Sequence, residues 1–375
     1  MIRMHKYFIL PVALLITSTT AILSQELIGI TSLSANLSEC SGLHMIDGSL
    51  LSIEDSGNDN AVFEIDTVTG EIVREVIIGN TENIDWESIT ADESFLYIGD
   101  FGNNNGSRQD LRIFRVPLDE YLDSDITQSV EVISFNYADQ TDFTSNPLAT
   151  NFDAEAFCSY GDSLILFSKN WLNGYSKVYK IPKAPGNHQI TVTDSINAQG
   201  FVTGCDCNSD LEVIHLIGHN ALLQPFVVRL SNFSPEWITD GLIDRDGLST
   251  DLGQSSQIEG VTSSYSSKLF VSSEQFFNTS AWLFDLNWDI DLSIENPQKL
   301  ELEGFVSPNP SNGSFRVDFE GFTELQVIDH SGKVVYKAEK LDRYQLIVDP
   351  GLYQVVLKNR MNHKIASQRL VIINP

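Results

Sequence analysis

The sequence predicts an all-β protein, a β-propeller followed by a small C-terminal β-sandwich. Two observations predict it. A short motif and the strands after it recur five times between residues 39 and 286, and residues 305–375 alternate apolar and polar positions in short runs separated by turns. The chain has 375 residues, 42% hydrophobic and 10% aromatic. That is enough apolar material for two cores, and it excludes wholesale disorder.

Residues 1–24 read as a secretory signal peptide. Arg3, His5 and Lys6 form a basic start, Phe8–Ile16 is apolar but for Pro11, and Thr17–Ser24 is small and polar enough for cleavage after Ser24. The apolar run falls short of the roughly 20 residues that span a bilayer. No later run comes close, so no transmembrane segment is expected in the mature chain. Export places Cys40, Cys158, Cys205 and Cys207 in an oxidising compartment. One bridge is open to them, as is simple burial in strands, and the spacing does not choose a pairing.

Residues 25–290 are expected to form the propeller. Asp85-Trp-Glu-Ser-Ile89, Asp153-Ala-Glu-Ala-Phe157 and Gln257-Ile-Glu-Gly-Val261 align directly. Glu39-Cys-Ser-Gly-Leu43 and Phe201-Val-Thr-Gly-Cys205 align with Ser41 and Thr203 in the glutamate position. An apolar second strand follows each (Leu50–Ile53, Phe95–Ile98, Leu164–Phe167, Val213–Ile217, Leu269–Val271), then a polar loop and a third strand. Fourth strands such as Ile72–Ile78 and Val130–Phe135 complete units of roughly 45–65 residues, the size of a propeller blade. The insert Ala138–Asn151 accounts for the longest repeat. The last repeat has no outer strand after Leu286, and Leu27–Ser34 can supply it, closing the ring and removing exposed sheet edges. Five blades is the count; the stretch 237–254 is the place for a sixth.

Residues 291–304 read as a linker. Beyond it, Phe315, Val317 and Phe319 alternate with polar residues, Asp329–Gly332 makes a hairpin turn, and further strands surround Leu346, Val355 and Ile372. Residues 305–375 resemble the type A C-terminal sorting domain of the type IX secretion system of Bacteroidota. The matching pieces include Pro308-Asn-Pro-Ser-Asn-Gly313, Leu325–Val335 with Gly332, and Gly351-Leu-Tyr-Gln-Val-Val-Leu357. The motif residues are Pro308, Asn309, Pro310, Gly313, Gly332, Gly351 and Tyr353. The resemblance implies the type IX machinery as partner and a secreted or cell-surface location.

The charge is divided in the same way. Residues 305–375 hold nine Lys+Arg and seven Asp+Glu, and residues 1–24 hold Arg3, Lys6 and no acid. The whole chain has 23 basic and 51 acidic residues, so 12 basic and 44 acidic residues, net −32, fall in 25–304. Phosphate contacts need clustered Lys and Arg, so nucleic acid is excluded as a partner, and so is docking on an anionic membrane.

Two columns of the repeat carry chemistry. The first is Glu87, Glu155 and Glu259, with Ser41 and Thr203 completing the ring. The second lies where the second strand runs out: Asp55, Asp100, Lys169, His219 and Glu274. Carboxylates that converge in low dielectric must take up protons or find a cation. A hard cation such as Ca²⁺ accepts six to eight oxygens. The other reading is that the first column only bonds backbone of the neighbouring blade. The glutamate–small–apolar pattern resembles phytase-like and gluconolactonase-like propellers, which implies carboxylates holding calcium at the channel mouth. No HExxH, GxSxG or P-loop occurs. The expectation is an extracellular binding or interaction module with a cation or unidentified ligand at the mouth. The alternative is a calcium-dependent hydrolase acting on a phosphoester, lactone or glycan at the same place.

Overall fold

The computed structural model describes residues 25–287, apart from 210, 253–256 and 265–267, together with most of 306–372. The expected signal peptide, the linker, and Pro308, Asn309, Pro310, Gly313 and Gly332 of the sorting motif lie outside the described residues.

After β1 (Gln25–Ser32), strands β2 (Cys40–Ile46), β3 (Ser49–Glu54), β4 (Ala61–Ile65) and β5 (Ile72–Ile78) form an antiparallel meander. The second meander is β6 (Trp86–Ala91), β7 (Phe95–Asp100), β8 (Arg112–Pro117) and, past helix α1 (Leu118–Asp123) and β9 (Ile126–Thr127), β10 (Glu131–Tyr137). The third is β11 (Asp153–Tyr160), β12 (Ser163–Lys169), β13 (Tyr175–Pro182) and, past β14 (Gly186–Ile190), β15 (Val192–Asn197). The fourth is β16 (Phe201–Asn208), β17 (Val213–His219), β18 (Pro225–Ser231) and β19 (Leu242–Thr250). The last is β20 (Ile258–Ser263), β21 (Lys268–Ser273) and β22 (Trp282–Asn287), with β1 as its outer strand. The N-terminal segment therefore closes the ring, with Ile28 opposite Asp285 and Ser32 opposite Trp282. The stretch 237–254 supplies β19.

First strands pack side by side in the order β2, β6, β11, β16, β20, and β20 returns to β2. Each meander is thus a propeller blade with its first strand on a common axis. Short parallel pairings join neighbours at the rim: β9 on β5, β14 on β10, β1 on β19. Apolar cores lie between adjacent meanders, as where Cys158 and Phe167 of the third meet Leu216 and Phe226 of the fourth. Both faces of such strands are covered, so β17 is buried at every position, His215 and His219 included, and shows no alternation of buried and exposed residues. Each fully buried Leu or Phe contributes about 1.5–3 kcal/mol relative to exposure. The four cysteines carry free thiols; Cys40, Cys158 and Cys205 are buried. No described helix is long and apolar enough to cross a membrane.

The C-terminal unit has two sheets. β23 (Val306–Ser307), β24 (Ser314–Val317) and β27 (Tyr344–Ile347) form one. β25 (Glu324–Asp329), β26 (Val334–Glu339), β28 (Gly351–Asn359) and β29 (Lys364–Ile372) form the other. Val306, Phe315 and Val317 from the first share a core with Leu325, Val327, Val355, Leu357 and Leu370 from the second, which makes a sandwich. Tyr353 packs against this core, and Gly351 lies beneath its ring.

Candidate functional site

A β-bulge places the first column. In all five inner strands the ladder to the second strand skips one residue, and the skipped residues are Ser41, Glu87, Glu155, Thr203 and Glu259. The extra residue of a bulge has no ladder partner, so its side chain is re-aimed. All five are buried. The small residue that follows lets the next meander come close: a Cβ on Gly204 would stand 2.7 Å from Glu259 O, and one on Gly260 3.1 Å from Leu43 N. Ser41 Oγ donates to Trp86 O (2.9 Å) and Thr203 Oγ1 to Ile258 O (2.6 Å), each in the following meander. For these two the backbone-bonding reading of the column holds. An ionised carboxylate cannot donate such a bond, and Glu155 is bound to Lys169 instead.

Register also sorts the second column. The residue after the partner of each pre-bulge position is Asp55, Phe101, Lys169, His219 and Glu274. Asp100 is one residue out of this column, and Phe101 fills the place in an apolar core. Both Asp100 oxygens are taken, Oδ1 by Arg108 Nη2 (2.9 Å) and the Asp85 N–H (3.1 Å), Oδ2 by Arg112 Nε (2.8 Å). Asp100 therefore anchors the loop. The loop Asp100–Gly106 is held by its own turns and by the insert, where Asn146 N–H donates to Asn105 O and Leu148 N–H to Asn104 O.

The remaining carboxylates meet. One oxygen each of Asp55, Asp85 and Glu87 lies within 4.8 Å of the others. Gly102 makes room for them, since a Cβ there would stand 2.1 Å from Glu87 Oε1 and 2.4 Å from Asp85 Oδ2. Across the axis, Lys169 Nζ donates to Glu155 Oε1 (2.5 Å) and sits 4.8 Å from the centre of the Trp171 ring. Asp153 accepts from Asn103 N–H and Trp171 Nε1, both at 2.7 Å, and Glu274 accepts from Gln257 Nε2 at 2.8 Å. Glu155 Oε2 and Glu259 Oε1 are buried and have no hydrogen-bond partner among the described residues. The same is true of His219 Nε2, while its Nδ1 lies 3.0 Å from Asn220 O.

Burial and mutual repulsion set the ionisation. Desolvation, with Asp55 beside it, pushes Asp85 up to about 7. Burial drives Glu87 well above the carboxylate range, with Asp55 and Glu155 adding to the effect. Glu259 rises to about 7, mainly by burial and against the pull of Lys169; Glu274 rises to about 9 by burial and the charge of Glu259. Burial acts to lower the Lys169 amine, but Glu155, Glu259 and Asp153 outweigh it and hold it above its usual value. Burial lowers the His219 imidazole to about 4, so it is neutral at pH 7. Seven carboxylates (Asp55, Asp85, Glu87, Asp153, Glu155, Glu259, Glu274) thus act on one another around one ammonium.

Asp85 and Asp153 were not selected by the repeat columns. Each stands two residues before a column glutamate, and the fifth meander has Gln257 there. An acidic or amide residue at this offset was the available signal. Trp171 stacks on Phe201 of the next meander with ring centres 4.6 Å apart, so it is a packing residue rather than a free stacking platform.

Residues 306–373 match the secretion system C-terminal sorting domain. This chain carries a secretion sorting domain. It is exported by the type IX pathway to the cell surface or the extracellular space. No curated protein matches the chain. Among solved structures, similarity extends to PorZ of Porphyromonas gingivalis (11% identity, TM-score 0.31, 89% of this chain and 45% of that one). PorZ is described as an essential bacterial surface component of the type IX secretion system. A Bacteroides uniformis protein described as a 6-phosphogluconolactonase aligns at 11% identity and TM-score 0.35, over 89% of this chain and 98% of that one. Hydrazine synthase of Kuenenia stuttgartiensis aligns at 11% and TM-score 0.34, over 63% and 56%. The chain spans about half the length of the PorZ and hydrazine synthase chains it matches.

Proposed function

We propose that this protein is an extracellular binding module whose propeller holds a divalent cation, calcium by its donor set, at the acidic end of the axis. The observation that carries the reading is the convergence of Asp55, Asp85 and Glu87 oxygens within 4.8 Å. Calcium takes oxygen ligands at about 2.3–2.6 Å, so donors up to roughly 5 Å apart can share one ion. The donors here are all oxygen, as a hard cation requires. A bound dication would supply the positive charge that a single ammonium, Lys169, leaves wanting. The unpartnered oxygens of Glu155 and Glu259 support the same need.

A phosphoesterase at this place would want basic residues for its substrate. Arg108 and Arg112 are bound to Asp100, and Lys169 to Glu155. The binding reading is therefore preferred over the hydrolase. Thermal melts in calcium and in EDTA test it. Calcium should raise the melting temperature of the mature protein, and Asp85→Asn/Glu87→Gln should abolish the rise. An unchanged response in that variant would refute the site.

A further inference from the structure

Three loops at the acidic end of the ring expose an apolar side chain at one repeated position. Three residues past Lys169, His219 and Glu274 stand Leu172, Leu222 and Phe277, which are 58%, 73% and 84% exposed. The corresponding residues of the first two meanders are Asn58 and Asn104. Single exposed leucines are ordinary, but three at one register position in consecutive meanders are not scattered.

The tips are built. Asn170 Oδ1 accepts from Leu172 N–H (3.0 Å), and Asn220 Oδ1 accepts from Leu222 N–H (2.8 Å) and Gln224 N–H (3.1 Å). Phe276 and Thr279 exchange two backbone bonds of 2.9 Å, which leaves Phe277 at a hairpin tip with φ 51°. A bulky residue in the left-handed region is strained, and here no burial offsets the strain. The Phe277 ring meets Phe276 edge-on, with ring centres 4.4 Å apart, and the rest of it faces solvent.

The apolar arc covers the third to fifth meanders, and the accessible carboxylates Asp55, Asp85 and Glu274 lie on the same end of the ring. Beneath them, Glu155 Oε2 and Glu259 Oε1 have unused acceptor capacity. We propose that this face docks a polypeptide segment in which a Lys or Arg stands beside apolar residues, the base drawn to the carboxylates and the apolar residues seated on Leu172, Leu222 and Phe277. Charge complementarity selects the occupant. A surface of net −32 over residues 25–304 repels nucleic acid and anionic lipid. A free inorganic ion has no use for an apolar arc, whereas protein interfaces combine an apolar centre with a charged rim. The proposal goes beyond the cation site and shares Asp55 and Asp85 with it, so calcium and the peptide's base compete for these two carboxylates, whereas the three apolar residues lie outside the donor set.

Fluorescence polarisation with three short labelled peptides, on the full mature chain with and without calcium, tests this. The peptides alternate Leu with Lys, Leu with Glu, and Ser with Lys. The Leu/Lys peptide should bind at least roughly tenfold tighter than the other two. Leu172→Ser/Leu222→Ser/Phe277→Ser should remove that advantage while leaving the melting temperature and terbium luminescence unchanged. Equal binding of the Ser/Lys peptide, no binding of any peptide, or undiminished binding by the triple variant would overturn the proposal. So would co-sedimentation with phosphatidylcholine vesicles that the triple variant loses, since the tips would then enter lipid.

Discussion

Gly102→Ala tests the proposed cation site separately from the fold. The backbone at Gly102 is not in the left-handed region, so a side chain brings no torsional strain. The new methyl would stand 2.1 Å from Glu87 Oε1 and 2.4 Å from Asp85 Oδ2, where ordinary contact begins at 3.4 Å. Both oxygens must retreat by roughly 1 Å, a large fraction of a calcium–oxygen distance of about 2.3–2.6 Å. They are the free ends of side chains, so they can move without disturbing the sheet. Two of the three carboxylates in the cluster are then displaced. The expected loss in calcium affinity is about 10–100-fold, or about 1.4–2.7 kcal/mol. Isothermal titration with calcium measures it, and the melting temperature in EDTA should stay within a few degrees of wild type, since a compatible Gly→Ala change is worth under about 1 kcal/mol. Calcium affinity equal to wild type in a folded Gly102→Ala protein would show that Asp85 and Glu87 hold no ion together.

Two further outcomes follow from the buried charges. Lys169→Met strands the Glu155 carboxylate, and urea unfolding should show a loss of about 3–5 kcal/mol, largely restored by adding Glu155→Gln. A single variant as stable as wild type would mean that Glu155 is already protonated. His215 is buried between Asp206 and Arg229 on the flanking strands, and burial, helped by Arg229, lowers its imidazole to about 3. The unfolded chain binds a proton there below about pH 6.5 and the native chain does not, so this stability is complete above that pH and lost as pH falls toward 3. Between pH 6.5 and 5 the loss should be about 1.6 kcal/mol, and His215→Leu should remove that component of the urea-measured slope.

The repeat was legible because a bulge followed by a small residue constrains residue type at every copy. Gly42, Ser88, Ala156, Gly204 and Gly260 recur because inner strands touch there, and that contact leaves a mark in the chain. Closure by Leu27–Ser34 was legible for a similar reason: the last meander lacks a strand, and the start of the chain has one to spare. Asp100 lies one residue out of the column because the sequence shows where an apolar run ends but not which residue the bulge leaves facing the axis. Asp85 and Asp153 are harder to read, because the offset two residues before the column holds Glu39 and Gln257 in two other meanders but Phe201 in the fourth, so it is not uniform.

What the sequence by itself determined is local and repetitive: strand periodicity, the bulge column, the acidic middle region and the sorting tail, each written in neighbouring residues. Only the tertiary structure decided which carboxylates share space. Asp55 and Glu87 are separated by a strand pair and a loop in the chain, and Glu155 and Glu259 by more than a hundred positions, yet the ring brings their charges together. Ionisation depends on distance through a low-dielectric interior, and distance across a ring is set by closure rather than by sequence separation.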